Sequence, residues 1–275
     1  MDTTFNQFQI NPYGFMRELR ARNPLMFAVG VAHIILLLIM AMIAPFDHRQ
    51  VMGINPWIKP MKFAVSIAIY ALTIGWLLYE LPLRERVRRV VNWAIASTLV
   101  IEIALIIMQA ARGVTSHFNQ ATAFDAAVFG VMGTAITLNI LVVAFVTLKF
   151  WRAGSKIPAP YLWGIRIGLM LFALASLEGF VMVSHSAHSV GVPDGGAGLP
   201  VVNWSVKGGD LRVAHFFGMH ALQVLPFVGR LLSTRRAESL TSNPTRWAQG
   251  VGFIYGLVAL LLFLWAMAGR PVVSL

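Results

Sequence analysis

The sequence lacks cysteine and has little charge, and both shortages narrow the kinds of protein it can be. Without cysteine there are no disulfide bonds, iron–sulfur clusters, covalently attached c-type haem or thiolate zinc sites. Charged residues make up 12% of the 275 residues, whereas about a quarter is usual in soluble domains. Apolar residues make up 57% of the chain. This composition excludes an ordinary water-soluble globule and indicates a membrane protein.

Long apolar runs, by contrast, are abundant. Seven of them are about 20 residues long, and a helix rising ~1.5 Å per residue then crosses the ~30 Å hydrocarbon core of a bilayer. The runs are 25–44, 60–79, 92–111, 124–148, 163–184, 212–232 and 248–268. The sequence therefore predicts an all-α, multi-pass protein with seven transmembrane helices, integral to the cell inner (cytoplasmic) membrane. Residues 25–275 are expected to form one domain, and residues 1–24 an interfacial or disordered cytoplasmic segment.

Lysine and arginine are distributed unequally between alternate loops, which predicts the orientation of the chain. The N-terminal segment and the loops 80–91, 149–162 and 230–247 together carry fourteen of these residues, whereas the other side carries seven. Positively charged loops stay in the cytoplasm. We therefore expect a cytoplasmic N-terminus and an extracytoplasmic C-terminus. The connecting loops are too short for a separate soluble domain, and the dispersed positive charge predicts no nucleic-acid partner.

Histidine is concentrated on the predicted extracytoplasmic side. No histidine falls in a cytoplasmic loop, and only His33 lies near the middle of a span. Histidine is the commonest metal ligand, so this placement predicts a metal or haem-b site in the extracytoplasmic half of the bundle. The candidate ligands are His117, His185, His188, His215 and His220.

Two carboxylates lie inside predicted spans. Glu102 and Glu178 are about 13 Å and 9 Å below the extracytoplasmic ends of their helices at ~1.5 Å per residue, and His220 lies at a similar depth. Ionisable groups at such depth are costly unless they are paired or face a wet cavity, which makes them candidate functional residues. We expect Glu102 or Glu178 to act as a catalytic general base.

Three cations are candidates for binding a cofactor. Arg112, Arg212 and Lys59 lie near the same ends of three predicted helices and could bind haem propionates. For Lys59 and the nearby Lys62, the alternative is that they are snorkelling interfacial anchors beside Trp57.

Local signals predict how these segments begin and end. Asp210 is placed to cap the sixth span, Gly113 to end the third, and Asn119 or Thr122 to cap the fourth. The loop 185–212 is the longest and contains several glycines, so it is expected to be flexible, as a lid or a plain connector, with Trp204 over the site in the first case.

The favoured function is a membrane oxidoreductase or a metal-dependent hydrolase. Its cofactor would be haem b or a histidine-ligated zinc, copper or iron ion, and its partners a quinol, a lipid-like substrate or a periplasmic electron carrier. The first alternative is a transporter or proton relay that uses Glu102, Glu178 and His220. The second is a non-catalytic sensor, assembly factor or complex subunit. Small residues such as Gly130 and Gly133, or Gly252 and Gly256 at the spacing of four that allows close helix contact, permit oligomers.

Overall fold

The computed structural model describes residues 12–152, 157–234 and 242–274. Within these ranges the chain is almost wholly helical, with one short antiparallel strand pair. The helices are α1 Pro12–Arg22, α2 Pro24–Ile43, α3 Ile58–Glu80, α4 Glu85–Arg112, α5 Ala123–Arg152, α6 Ala159–His185, α7 Leu211–Leu232 and α8 Pro244–Met267. A 3-10 turn, Ala44–Phe46, follows α2, and the strands are β1 Ser189–Val190 and β2 Gly209–Asp210.

Six of these helices are long and apolar enough to cross a membrane. They are α2 with its 3-10 turn, α3, α4, α5, α6 and α8. The chain is therefore an all-helical, multi-pass membrane protein. The helices extend beyond the apolar runs, and α4 begins at Glu85 rather than at residue 92. Helix α1 lies within the N-terminal segment predicted to be interfacial or disordered, of which residues 1–11 fall outside the described part.

Helix boundaries follow the local signals in the sequence. Asp210 caps α7 by accepting a hydrogen bond from the Arg212 amide, as predicted. Gly113 ends α4 in the left-handed conformation, at φ 74°. The Thr122 hydroxyl accepts a hydrogen bond from the Asp125 amide at the start of α5.

Helices α6 and α7 are antiparallel neighbours in close backbone contact. A Cβ added at Gly164 would lie 2.3 Å from the carbonyl oxygen of Leu225, and one added at Gly229 would lie 2.5 Å from that of Pro160. At the other end, a Cβ at Gly218 would lie 2.6 Å from the Ala175 Cβ. These contacts extend from Gly218 to Gly229 of α7, the helix formed by the predicted sixth span, which is not among the six helices above.

The connection between α6 and α7, residues 186–208, returns to its starting point. Ser189 pairs with Asp210 and Val190 with Gly209, so β1 and β2 bring the two ends of the connection together. We call this segment the 186–208 connection, and we call the end of the bundle that carries it the loop end. The distribution of lysine and arginine predicts that the loop end is extracytoplasmic.

Candidate functional site

Three ionisable side chains from three elements meet at the loop end. Lys59 lies in the first turn of α3, Glu102 lies ten residues before the end of α4, and His117 lies in the connection from α4 to α5. The Lys59 ammonium nitrogen is 3.2 Å from His117 Nδ1, and His117 Nε2 is 3.6 Å from Glu102 Oε1. The three groups form a continuous Lys–His–Glu arrangement beneath the surface.

The His117 ring is held in one protonation state. Burial lowers its pKa well below the usual value, and the positive charge of Lys59 and the neighbouring His188 lower it further. His117 is therefore neutral at pH 7. A protonated Lys59 only donates, so in that state Nδ1 accepts and the ring proton lies on Nε2, towards Glu102.

Glu102 has spare capacity to accept a proton or a hydrogen bond. The residue is only 6% exposed, and its Oε2 is buried without a hydrogen-bond partner among the described residues. A buried carboxylate oxygen left without a partner is costly, so such a group points to a ligand, a bound water or a proton. The predicted role of Glu102 as a base is compatible with this geometry.

His188 lies beside this group and is bound to an acidic partner within the 186–208 connection. Its Nδ1 is 2.7 Å from Asp194 Oδ2. Burial acts to raise the pKa of Asp194, but hydrogen bonds from the His188 ring, the His188 amide and the Ser189 amide outweigh it and hold the pKa well below its usual value. The carboxylate is thus ionised, Nδ1 of His188 donates to it, and Nε2 carries the free lone pair.

His215, in the second turn of α7, is fixed in the same way. Its Nδ1 is 2.8 Å from the Ala175 carbonyl oxygen of α6, and a carbonyl only accepts. Nε2 again keeps its lone pair. His188 lies close enough to interact electrostatically with both His117 and His215.

Cations and carboxylates meet at this site. Lys59, Lys62 and Arg212 lie close enough to repel one another, whereas Glu102 and Asp194 attract Lys59 and Asp210 attracts Lys62. Arg212 is neutralised by Asp210 at 2.6 Å, and it also donates to the Asn203 carbonyl. Lys62 donates to the Val202 carbonyl at 3.0 Å, and neither lysine has a carboxylate within hydrogen-bonding distance among the described residues. The arrangement suits an anionic ligand.

The other predicted site residues lie apart from this group. Arg112 binds Asp125 and Gln109 and so joins α4 to α5. His185 and His220 each use Nδ1 to bond the carbonyl four residues earlier in their own helix.

Glu178 is placed differently from those three residues. Its Oε2 is buried without a hydrogen-bond partner among the described residues. It lies three residues after Ala175, on the face of α6 that approaches His215. No contact between Glu178 and the group is observed among the described residues.

The five predicted histidine ligands do not form one set. In the ranges 12–152, 157–234 and 242–274, no group of three or more His, Asp or Glu side chains is arranged to hold a metal ion. His117, His188 and His215 form a series of neighbours, whereas His185 and His220 make only local bonds. The Trp204 ring, predicted as a plug, packs edge-on against Phe216 of α7 at 5.7 Å.

A polar network in the middle of the bundle was not predicted from the sequence. The Tyr70 hydroxyl donates to Asn139 Oδ1 at 3.1 Å, and Asn139 Nδ2 donates to Thr98 Oγ1 at 2.8 Å. Thr98 lies one helical turn before Glu102, so polar groups extend from the loop end to mid-bundle. Farther along α3, away from the loop end, the fully buried side chains that follow Tyr70 are those of Ala71 and Ile74, and both are apolar. The lone amide of Asn139 in an apolar run was the signal available in the sequence.

Comparisons with known proteins give no information about this site, so its chemistry is inferred from its geometry. No protein-family model matches the chain, and no curated protein or solved structure gives a significant match.

Proposed function

We propose that the protein has seven spans, with its N-terminus in the cytoplasm and the loop end facing the extracytoplasmic side of the inner membrane. The support for the seventh span is the packing of α7 along α6 from Gly229 to Gly218. A helix of 22 residues that lies antiparallel against a spanning helix crosses the same thickness of bilayer. The distribution of lysine and arginine supports the orientation.

The native chain offers a direct test of this topology because it contains no cysteine. Single cysteines placed at Arg84, Val201 and Val272, all exposed, should react with a membrane-impermeant thiol reagent, those at Val201 and Val272 from one side of sealed vesicles and that at Arg84 from the other. Reaction at Val201 and Val272 from opposite sides would exclude the seventh span, and reaction at Arg84 and Val201 from the same side would exclude the rest of the topology.

We infer further that the loop end binds an amphiphilic cofactor that carries acidic groups, and that haem b fits best. The observation that carries this inference is the pair of ammonium groups of Lys59 and Lys62, which have no carboxylate partner among the described residues. Lys59 lies near His188, which in turn lies near His215. The Nδ1 atoms of these two histidines are held by Asp194 and by a backbone carbonyl. Such bonds fix a ring with Nε2 free, which is the usual state of a metal-ligating histidine.

Haem b is favoured over a small ion because of the number of protein ligands each needs. Haem iron takes one or two axial histidines, and its propionates need cations nearby. A zinc ion needs three or four protein ligands, a group that the described residues do not supply. The protein would then exchange electrons with a membrane quinol or a periplasmic carrier, and the His117–Glu102 pair would accept the protons that a quinol releases.

The test is an absorption spectrum with iron, zinc and copper analysis on detergent-purified protein. We expect a Soret band with about one iron per chain. His188→Ala and His215→Ala should lose or shift the band, whereas the matched controls His185→Ala and His220→Ala should keep it. Folded protein without a Soret band would exclude haem, and stoichiometric zinc or copper would instead favour a hydrolase or copper site.

A proton relay is the second candidate, and one observation favours it. A second polar pair, Thr98 and Asn139, begins one helical turn beyond the Lys59–His117–Glu102 group and extends to mid-bundle, although no hydrogen bond joins Glu102 to Thr98 among the described residues. In proteoliposomes loaded with a pH-sensitive dye, a relay predicts proton uptake that Glu102→Gln abolishes. Flux that is absent, or unchanged in this variant, would leave the cofactor site as the remaining function.

A further inference from the structure

A long apolar groove lies on the outside of the bundle between α4 and α5. It consists of two adjoining parts, with volumes of about 410 and 980 Å³, that share Val90 and Ala94. These volumes are in the range of ligand pockets, ~300–1,000 Å³. From Arg86 to Ile101 the groove follows sixteen residues of α4, or roughly 22 Å, which exceeds half of a ~30 Å hydrocarbon core. An acyl chain anchored at one end would therefore extend through a whole leaflet.

The groove is open because small side chains line it. The wall of α5 includes Ala127 and Gly130, and a Cβ added at Gly130 would meet nothing within 4 Å. Packing inside this chain therefore does not require glycine at this position. The small size of Gly130 instead leaves room for a molecule from outside the chain.

Cations mark the end of the groove at the start of α4. Arg86 borders one part and Arg89 the other, and both are exposed without a hydrogen bond or ion pair to the described residues. Arg88, between them, is instead held by the carbonyls of Leu78 and Leu81. The two free guanidinium groups are therefore available to a ligand outside the bundle.

The helix itself adds positive potential at this point. The N-terminus of a helix carries a partial positive charge, so arginines there are unfavourable unless an anion lies nearby. Glu85 is the only acidic residue in the first turn of α4. The arginines and the helix end thus favour the same kind of ligand.

We propose that this groove, defined by Arg86, Arg89, Trp93, Ala94, Ser97 and Gly130, binds an anionic phospholipid. The two guanidinium groups bind the phosphate, because arginine matches phosphate oxygens with two parallel hydrogen bonds. One acyl chain lies along the apolar floor. Trp93, which is 58% exposed, lies in the wall at the depth of the upper acyl chain.

Trp93 also supplies the probe. The full-length protein is titrated in mixed micelles with phosphatidylglycerol or phosphatidylcholine that carries brominated acyl chains, which quench tryptophan fluorescence on contact. The Trp93 signal is taken as the difference between the wild type and Trp93→Phe. We expect half-maximal quenching at a several-fold lower mole fraction of phosphatidylglycerol than of phosphatidylcholine.

Two pairs of variants distinguish lipid binding in the groove from a general attraction of anionic lipid to a basic protein. Arg89→Gln should weaken the phosphatidylglycerol titration about fivefold, the factor that ~1 kcal/mol per surface cation represents. Arg84→Gln removes the same charge from an exposed position that does not line the groove, and should change the titration less than twofold. Gly130→Leu fills the groove and should abolish the quenching. Gly133→Leu, also in open space but outside the lining, should leave it intact.

Three results would overturn the proposal. The first is equal quenching by the two lipids, and the second is an equal effect of Arg89→Gln and Arg84→Gln. The third is unchanged quenching in Gly130→Leu together with a smaller particle mass by light scattering, which would make this face a contact between two copies of the chain. None of these results depends on whether the loop end binds haem.

Discussion

The close contact between α6 and α7 gives a prediction that separates steric cost from helix propensity. Gly164 and Gly179 both lie in α6, and each is replaced by alanine. The Cβ of an alanine at 164 would lie 2.3 Å from the Leu225 carbonyl oxygen, whereas at 179 it would meet nothing within 4 Å. Favourable separations between non-bonded heavy atoms are about 3.5–4.0 Å, so at 164 the two helices must move apart by roughly 1 Å.

The magnitude follows from two opposing effects. Glycine to alanine in a helix gains up to ~1 kcal/mol in propensity at either position. Forcing an extra methyl group into a packed contact costs about 1–3 kcal/mol, and the obstacle at 164 is backbone, which yields less than a side chain. Since ~1 kcal/mol shifts Tm by about 2–4 °C in a chain of this size, we expect Gly164→Ala to unfold roughly 2–12 °C below Gly179→Ala.

The assay is thermal unfolding in detergent, followed by the fluorescence of the eight tryptophans. Both variants have the same composition and lie in the same helix, so their difference isolates the contact. Gly168→Ala, which places a Cβ 2.7 Å from the Ala221 carbonyl oxygen, should resemble Gly164→Ala. If Gly164→Ala is as stable as Gly179→Ala, the close α6–α7 packing is wrong, and the seventh span loses its structural support.

Two further predictions concern buried polar groups. Asn139→Leu leaves the Tyr70 hydroxyl without its partner. It should lower Tm by about 2–4 °C, because a hydrogen bond between membrane helices contributes ~1 kcal/mol. The control Thr134→Ala removes an exposed hydroxyl that is bonded within its own helix, and it should lower Tm by less. Burial lowers the pKa of His117 and of His188 in the folded state, so below the usual value near 6.5 the unfolded loops bind protons first and stability falls as pH falls. Amide hydrogen exchange in the 186–208 connection, corrected for its intrinsic pH dependence, should therefore show less protection at pH 5 than at pH 7.5, and His188→Gln should reduce the difference. Equal protection at both pH values would contradict this reasoning.

The histidines show how far sequence reasoning reached at the site. Placement along the chain was enough to bring His117, His188 and His215 to one end of the bundle, because depth in a spanning helix is a linear function of position. His185 and His188, three apart, would share a face only if α6 continued. The helix ends at His185, with Ser186 in the left-handed conformation at φ 50°, so the two side chains separate. His188 instead binds Asp194, a partner that spacing did not predict.

The sequence by itself determined the class of protein, the helical runs and the caps at Gly113 and Asp210, and it left Asn119 or Thr122 open as the cap of α5. These features depend on hydrophobic length and on contacts within a few residues, which the order of amino acids specifies directly. Only the tertiary structure decided that Lys59, His117 and Glu102 meet and that Arg112 belongs to an ion pair with Asp125. Those partners come from different elements of the fold. The rotation of each helix about its axis is set by packing, such as the glycine contacts of α6 with α7, rather than by local pattern.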